Sequence, residues 1–123
     1  MLRLLLDEGI SAAVASGLRR RFRGMDVHAM AEWEGGNFVG LDDSACLRKA
    51  AVQELTLVTY DRTAISPLLK EWMEEGVSHG GVIFVDEKTI SPEQTDGLIA
   101  ALAQLAKEPG DWEWANRVTF LRG

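Results

Sequence analysis

The sequence predicts a single-domain, three-layer α/β/α fold in which a mostly parallel sheet carries helices on both faces. Short apolar runs alternate with longer segments of helical periodicity, in the order βαβαβαβαβ, and this alternation is typical of parallel sheets. The chain has 123 residues, of which 46% are hydrophobic and 26% charged, so that residues 1–123 suffice for one domain with one core. No repeat or linker divides it.

The predicted strands are short apolar runs that end in charged or turn residues. The first run ends at Asp7, and the third is rich in β-branched residues, which favour strands. The predicted strands span residues 2–6, 25–30, 55–59, 81–85 and 117–121.

Each predicted helix has a recognisable N-terminal signal. Ser11 can cap the first helix, which Gly24 ends. Asp42 or Asp43 can cap the second, which runs to about residue 54, after a glycine-rich loop at 31–41.

Proline marks the beginning of the last two predicted helices. Ser66 and Pro67 open the third helix, which ends at Gly76, and a capping box over residues 91–94 opens the fourth, which runs to about residue 107. The inward face of the third helix is predicted to contain Ile65, Leu68, Leu69, Trp72 and Met73.

Composition excludes several classes of protein. The single Cys46 rules out an internal disulfide and a multi-cysteine zinc site. The net charge of −6 argues against binding nucleic acid through bulk charge alone. The apolar run at the N-terminus is too short for a signal peptide or a membrane span. We therefore expect a cytoplasmic protein that makes no membrane contact.

Acidic residues follow the predicted strands. Asp7 and Glu8 follow the first strand, Asp61 comes two residues after the third, and Asp43 opens the helix that leads into the third. The carboxyl ends of parallel strands meet at one edge of a sheet, where ligands bind. Converging carboxylates repel one another unless a cation such as Mg²⁺ or Mn²⁺ neutralises them. The alternative is that these acids are solvated loop residues and helix caps.

Two stretches around these acids resemble the PIN domain family, in particular its compact members related to VapC-type toxins. One is Leu-Leu-Leu-Asp-Glu-Gly-Ile-Ser at 4–11; the other joins Asp43 and Ala50 to Leu-Val-Thr-Tyr-Asp at 57–61. Residues 80–83 are similar to the segment that enters the family's next strand. The resemblance implies a PIN-like fold.

The resemblance also implies an activity and its residues. PIN domains are metal-dependent ribonucleases, and the matching positions imply that Asp7, Asp43 and Asp61 bind Mg²⁺ or Mn²⁺ with Glu8 beside them as a further catalytic acid. RNA is the implied substrate. Many family members are toxins, so an antitoxin protein is an implied partner, and small toxins of this kind commonly form homodimers.

The chain departs from the family pattern at two places. Thr63 and Ala64 stand where the family often has a second Asp followed by Phe, and a helical Glu of larger PIN toxins has no clear equivalent, although Glu32 lies in the corresponding interval. Fewer carboxylates imply weaker metal binding. A non-catalytic interaction protein that keeps the fold is therefore one alternative.

A response-regulator receiver domain is the other alternative. Such domains also carry an acidic pair after the first strand and a phosphoaccepting Asp after the third, roles that Asp7, Glu8 and Asp61 would fill. The hydroxyl residue expected after the fourth strand is missing, because Asp86 stands there.

The remaining candidates each have a structural alternative. Arg62 could meet a scissile phosphate or be a surface residue, and Ser11 could contact water at the metal or only cap its helix. Trp33 could stack on a base or pack in the core, and Trp112 and Trp114 could be core or dimer surface. The arginines at 19–23 are predicted to neutralise a helix C-terminus.

Overall fold

The computed structural model describes residues 2–108 and 113–123, and within them strands and helices alternate as the sequence predicts. The α/β class with one parallel sheet is confirmed. In chain order the elements are β1 (Leu4–Leu6), α1 (Ala12–Arg21), β2 (Val27–Ala29), α2 (Asp43–Val52), β3 (Thr56–Thr59), α3 (Arg62–Glu75), β4 (Val82–Val85), α4 (Thr95–Ala106) and β5 (Val118–Leu121), with a short 3₁₀ turn at Trp33–Gly36 before α2.

The strands form one sheet in the order β2-β1-β3-β4-β5, and every neighbouring pair is parallel. From β1 the chain moves outward to β2, then returns past β1 to β3 on the other side. The strand order therefore reverses between β1 and β3, and a crevice opens at their carboxyl ends. Asp7 directly follows β1 and Asp61 follows β3 by two residues, so both acids lie at this crevice.

Two hydrophobic cores cover the two faces of the sheet, because successive side chains of a strand point to opposite faces. One core joins α1 and α4 to the sheet residues Leu4, Leu6, Val58, Ile83, Val85 and Leu121. The other joins α2 and α3 to Leu5, Leu57, Val82 and Phe84. Each face therefore has two helices.

This even distribution depends on the position of α4. The connections β3-α3-β4 and β4-α4-β5 both move one strand outward in the same direction, yet α3 and α4 lie on opposite faces. The two connections therefore have opposite hands, although roughly 98% of such connections are right-handed. Because α4 packs beside α1, no described helix covers the α3 side of β5, and Val118 and Phe120 are exposed there.

The predicted start of the third helix is wrong. α3 begins at Arg62 with Asp61 as its N-cap, and Pro67 lies inside the helix. The Asp61 carboxylate accepts the N–H of Ala64, which satisfies the first turn before the chain reaches Ser66. Met73 was predicted to face inward and is 75% exposed, because its side of α3 borders the uncovered side of β5.

The fourth helix also begins later than predicted. Residues 91–94 form a separate turn in which Gln94 Oε1 accepts the N–H of Ser91, so half of the predicted capping box is present. The helix itself begins at Thr95.

Trp72 is buried on the inward face of α3, as predicted, and Cys46 is also buried. Of the two alternatives for Trp33, the structure shows core packing, with the indole N–H donating to Gln53. Arg19, Arg20 and Arg21 occupy the last turn of α1.

Trp114 is half-buried against the core that α1 and α4 share, while Trp112 lies outside the described residues. No helix in residues 2–108 and 113–123 is both long and apolar enough to cross a bilayer.

Candidate functional site

The acids singled out by the sequence line one cleft. It has a volume of about 350 Å³ and lies at the carboxyl ends of β1 and β3, beside the beginning of α2. Asp7, Glu8, Asp43 and Asp61 reach it from three separate segments of the chain. No Lys or Arg is among the described residues that line it, so its charge is negative. The described lining is completed by Gly9, Ile10, Gly40, Leu41, Thr59 and Tyr60.

Thr59 connects two of these acids. Its hydroxyl donates to Asp7 Oδ2 over 2.6 Å and accepts the backbone N–H of Asp61 over 3.0 Å. Thr59 is fully buried at the end of β3, so its hydroxyl has little freedom to move. The other oxygen of Asp7 accepts the N–H of Glu8 over 2.8 Å. Asp7 is therefore held at both carboxylate oxygens.

Asp61 has a structural role as well as a place in the cleft. Its Oδ1 accepts the N–H of Ala64 over 3.0 Å and its carbonyl accepts the N–H of Ile65, which caps α3. A carboxylate at this position also interacts favourably with the positive end of the helix dipole. One oxygen, Oδ2, has no hydrogen bond to the described part of the chain.

Asp43 is the least constrained of the four acids. Asp42 is the N-cap of α2, with Oδ1 accepting the N–H of Ala45 over 2.8 Å, which settles the choice that the sequence left open between the two residues. The carboxylate of Asp43, in the first helical turn, makes no hydrogen bond to residues 2–108 or 113–123. Partial burial raises its pKa, and the neighbouring charges of Asp7 and Asp61 raise it further.

The electrostatic influence of this cluster extends below the cleft. The thiol of Cys46, one helical turn after Asp43, has its pKa raised to about 11 by burial and by the carboxylates of Asp43 and Asp7. It therefore stays protonated at neutral pH and packs as a small apolar group.

Glu8 ties the loop before α2 to the cleft. Its Oε1 accepts the N–H of Gly40 over 2.7 Å. Gly40 has a positive φ of 80°, a conformation that favours glycine. The sequence did not predict the contact between Glu8 and Gly40. The only signal for it is a glycine two residues before Asp42, the N-cap of α2.

The donor set is suited to a hard cation, although the side chains do not form a closed site. All four acids offer oxygen, the ligand that Mg²⁺ and Mn²⁺ prefer. Among the described residues, no three His, Cys, Asp or Glu side chains converge closely enough to hold a metal ion as they are placed. Asp7, Glu8 and Asp61 instead accept hydrogen bonds from the protein. Metal binding by Asp7, Asp43 and Asp61 stays a prediction.

The two predicted substrate contacts lie outside the lining of the cleft. The Arg62 guanidinium lies over the ring of Phe120, 5.1 Å from its centroid, on the β5 side of α3. Ser11 caps α1, with its hydroxyl oxygen accepting the N–H of Ala13. Glu32 is also absent from the lining and is exposed beside the 3₁₀ turn. Substrate binding by Arg62 and Ser11 is untested.

Tyr60 lines the cleft but packs into the core that α1 and α4 share. Burial raises the pKa of its phenol, and the nearby Glu87 raises it further. The phenol therefore stays protonated and adds no charge to the cleft at neutral pH.

No family model, curated protein or solved structure matches this chain. The fold and the acidic cleft are thus the features from which a function can be argued.

Proposed function

We propose that this protein is a divalent-metal-dependent ribonuclease of the PIN type. The observation that carries the proposal is the gathering of Asp7, Glu8, Asp43 and Asp61 in one cleft at the reversal of strand order. Partial burial raises the pKa of Asp43, and the pKa is raised further by repulsion among four acids that have no cation in the described lining. A bound cation would relieve it.

Each of the four acids has an assigned role in this proposal. Asp7, Asp43 and Asp61 would hold Mg²⁺ or Mn²⁺, and Glu8 would orient water while keeping Gly40 in place. When bound, the ion lowers the pKa of water and stabilises negative charge on a phosphate. Thr59 orients Asp7 through its hydroxyl. Asp43, with no hydrogen bond to the described residues, is free to turn toward the ion.

The charge of the cleft also explains why RNA binding there would depend on the cation. A phosphodiester entering a cleft lined by four acids meets repulsion, which the ion offsets. The roles of toxin, antitoxin partner and homodimer follow only from the family resemblance.

Calorimetric titration of Mn²⁺ tests the assignment without knowledge of the substrate. We expect the wild type to bind, and the Asp7→Asn, Asp43→Asn and Asp61→Asn variants to lose binding. Asp96→Asn is the matched control, because Asp96 is an exposed acid in the first turn of α4 and is not among the described residues that line the cleft. Mg²⁺-dependent cleavage of single-stranded RNA should follow the same pattern. An absence of both Mn²⁺ binding and cleavage would instead indicate a non-catalytic interaction protein.

The strand order favours a second candidate, the receiver-like phosphoacceptor module. The order 2-1-3-4-5 is that of the flavodoxin-like folds, which include response-regulator receivers. Two observations argue against a receiver. Asp86 follows β4, where such domains carry a hydroxyl residue. One carboxylate oxygen of Asp61 also accepts the N–H of Ala64 as the cap of α3. Incubation with acetyl phosphate decides between the two: a phosphorylated Asp61 would favour the receiver, and unmodified protein would favour the ribonuclease.

A further inference from the structure

The uncovered side of β5 forms a groove with α3, which we call the β5 groove and define by Leu69, Lys70, Met73, Val118 and Phe120. Its part between α3 and Val118 has a volume of about 470 Å³. Met73 is 75% exposed, Phe120 53% and Val118 43%. These are three of the most exposed large apolar side chains among the described residues, and they lie together.

The same strand presents an open hydrogen-bonding edge. Val82 donates its N–H to the carbonyl of Arg117, and Asp86 donates to that of Leu121. In a parallel ladder, alternate residues of a strand bond to the same neighbour. The backbone N–H and C=O groups of Val118 and Phe120 therefore point away from β4, toward an edge that no described strand pairs.

The charge at this groove differs from that of the whole chain. The chain has a net charge of −6, yet no acidic residue is among the described lining of the groove, which includes Lys70. Arg62 lies over Phe120, and Arg122 follows the end of β5 with its Nε 3.9 Å from Asp86. Two cations therefore lie on α3 along the groove, and a third lies at the end of β5.

We infer that the β5 groove binds an extended segment of a partner protein, which adds to the sheet as a strand beside β5. Val118 and Phe120 would offer both backbone hydrogen bonds and apolar contact, the combination used in strand addition. The side chains of the segment that face α3 lie two residues apart. Among these we expect apolar residues, which meet Val118, Phe120 and Met73, and Asp or Glu, which meet the cations. This inference is independent of the function proposed for the acidic cleft.

Two other occupants agree less well with these features. A second copy of the chain would bring its own Arg62, Lys70 and Arg122 toward the same cations, which repel it. Single-stranded RNA would find cations and one aromatic ring, but its bases and phosphates do not match the paired N–H and C=O groups of a strand edge or the aliphatic side chains of Val118 and Met73.

Selection of a phage-displayed library of random linear peptides on the immobilised full-length protein tests the inference. We expect the enriched peptides to carry apolar and acidic residues two positions apart, on one face of an extended strand, and a synthetic peptide of the consensus sequence to perturb the amide resonances of β5. Phe120→Ser should weaken its binding by about tenfold or more, the effect of losing one interface anchor. Val52→Ser is the matched control, because Val52 is an apolar residue with 78% exposure at the end of α2, and it should leave binding unchanged.

A backbone variant and a charge variant sharpen the test. Val118→Pro removes an outward N–H, and proline is tolerated on the open side of an edge strand, so the fold should persist while peptide binding falls. Lys70→Glu should also weaken binding, whereas Lys107→Glu, at the end of α4, should not.

Several outcomes would overturn the inference. They are a failure to enrich peptides, equal binding by the Phe120→Ser variant, and enriched peptides without acidic residues. A dimer in sedimentation that Phe120→Ser dissociates would assign the groove to a second copy. Binding of a single-stranded RNA that Phe120→Ser abolishes, without any enriched peptide, would assign it to nucleic acid.

Discussion

The hydroxyl of Thr59 donates a 2.6 Å hydrogen bond to Asp7 Oδ2 across a separation of 52 residues. The same hydroxyl accepts the N–H of Asp61. One buried side chain therefore fixes both the carboxylate of Asp7 and the backbone of Asp61.

Replacing Thr59 by Val should separate the contribution of the hydroxyl hydrogen bonds from that of side-chain volume. The variant leaves the Asp7 carboxylate and the Asp61 N–H without their partner, so we expect the free energy of unfolding to fall by about 1–3 kcal/mol. Urea denaturation measures it. Thr59→Ser, which keeps the hydroxyl, is the control and should lose less. Equal stability of the Val and Ser variants would contradict the role of the hydrogen bonds.

Asp61 should respond differently to Asn and to Ala. Asn can accept the N–H of Ala64 as the Asp61 carboxylate does, so Asp61→Asn should stay within a few tenths of a kcal/mol of the wild type, whereas Asp61→Ala should lose about 1 kcal/mol. Both variants remove the charge and should abolish Mn²⁺ binding. If Asn and Ala were equally destabilising in thermal unfolding, the charge of Asp61 rather than its cap would stabilise α3.

Asp43→Asn should become relatively more stable as the pH rises. The pKa of Asp43 is raised above 3.8 in the folded protein, so the folded state binds its proton more tightly than the unfolded state does. Ionisation of Asp43 therefore costs stability as the pH rises from 3.8 through the folded pKa. The variant lacks this cost.

The expected size of this pH-dependent stability difference follows from the exposure of Asp43. Because Asp43 is only half-buried, we expect the variant to gain less than about 1 kcal/mol relative to the wild type between acidic and neutral pH, with the gain reduced by salt. Urea denaturation at several pH values measures it, with Asp96→Asn as the control. If the difference in unfolding free energy between variant and wild type does not change with pH, the pKa of Asp43 is not raised in the folded protein.

The residues that end α2 and α3 make a matched pair for a backbone test. Glu54 has a φ of 59° after α2, and Gly76 has a φ of 72° after α3. This left-handed position usually belongs to glycine. We expect Glu54→Gly to raise the free energy of unfolding by about 1 kcal/mol and Gly76→Ala to lower it by about the same amount.

Side-chain contacts do not obscure this comparison. Glu54 is 85% exposed, and its 3.7 Å ion pair with Arg3 should contribute little. A Cβ on Gly76 would meet no atom within 4 Å, so its cost is confined to the backbone. Thermal unfolding measures both variants, and changes of the same sign would contradict the argument.

Much of the architecture could be predicted because its signals are local. Apolar runs such as 55–59 and the cap at Ser11 need only neighbouring residues to be recognised, and the rule for strand ends then brings Asp7 and Asp61 to one edge. The predicted start of the third helix is wrong because it also rests on a local signal. Pro67 is a strong local signal, but the cap that decides the start of α3 is Asp61, six residues earlier.

The sequence by itself determined the fold class, the order of the elements and the acids that line the cleft. The tertiary structure alone decided the strand order, the choice of Asp42 over Asp43 as the cap, the contact of Thr59 with Asp7 and the position of α4 that leaves β5 uncovered. The physical reason is range. Propensity and periodicity act over a few residues, whereas strand pairing, helix packing and the electrostatic field in a cleft depend on residues that only folding brings together.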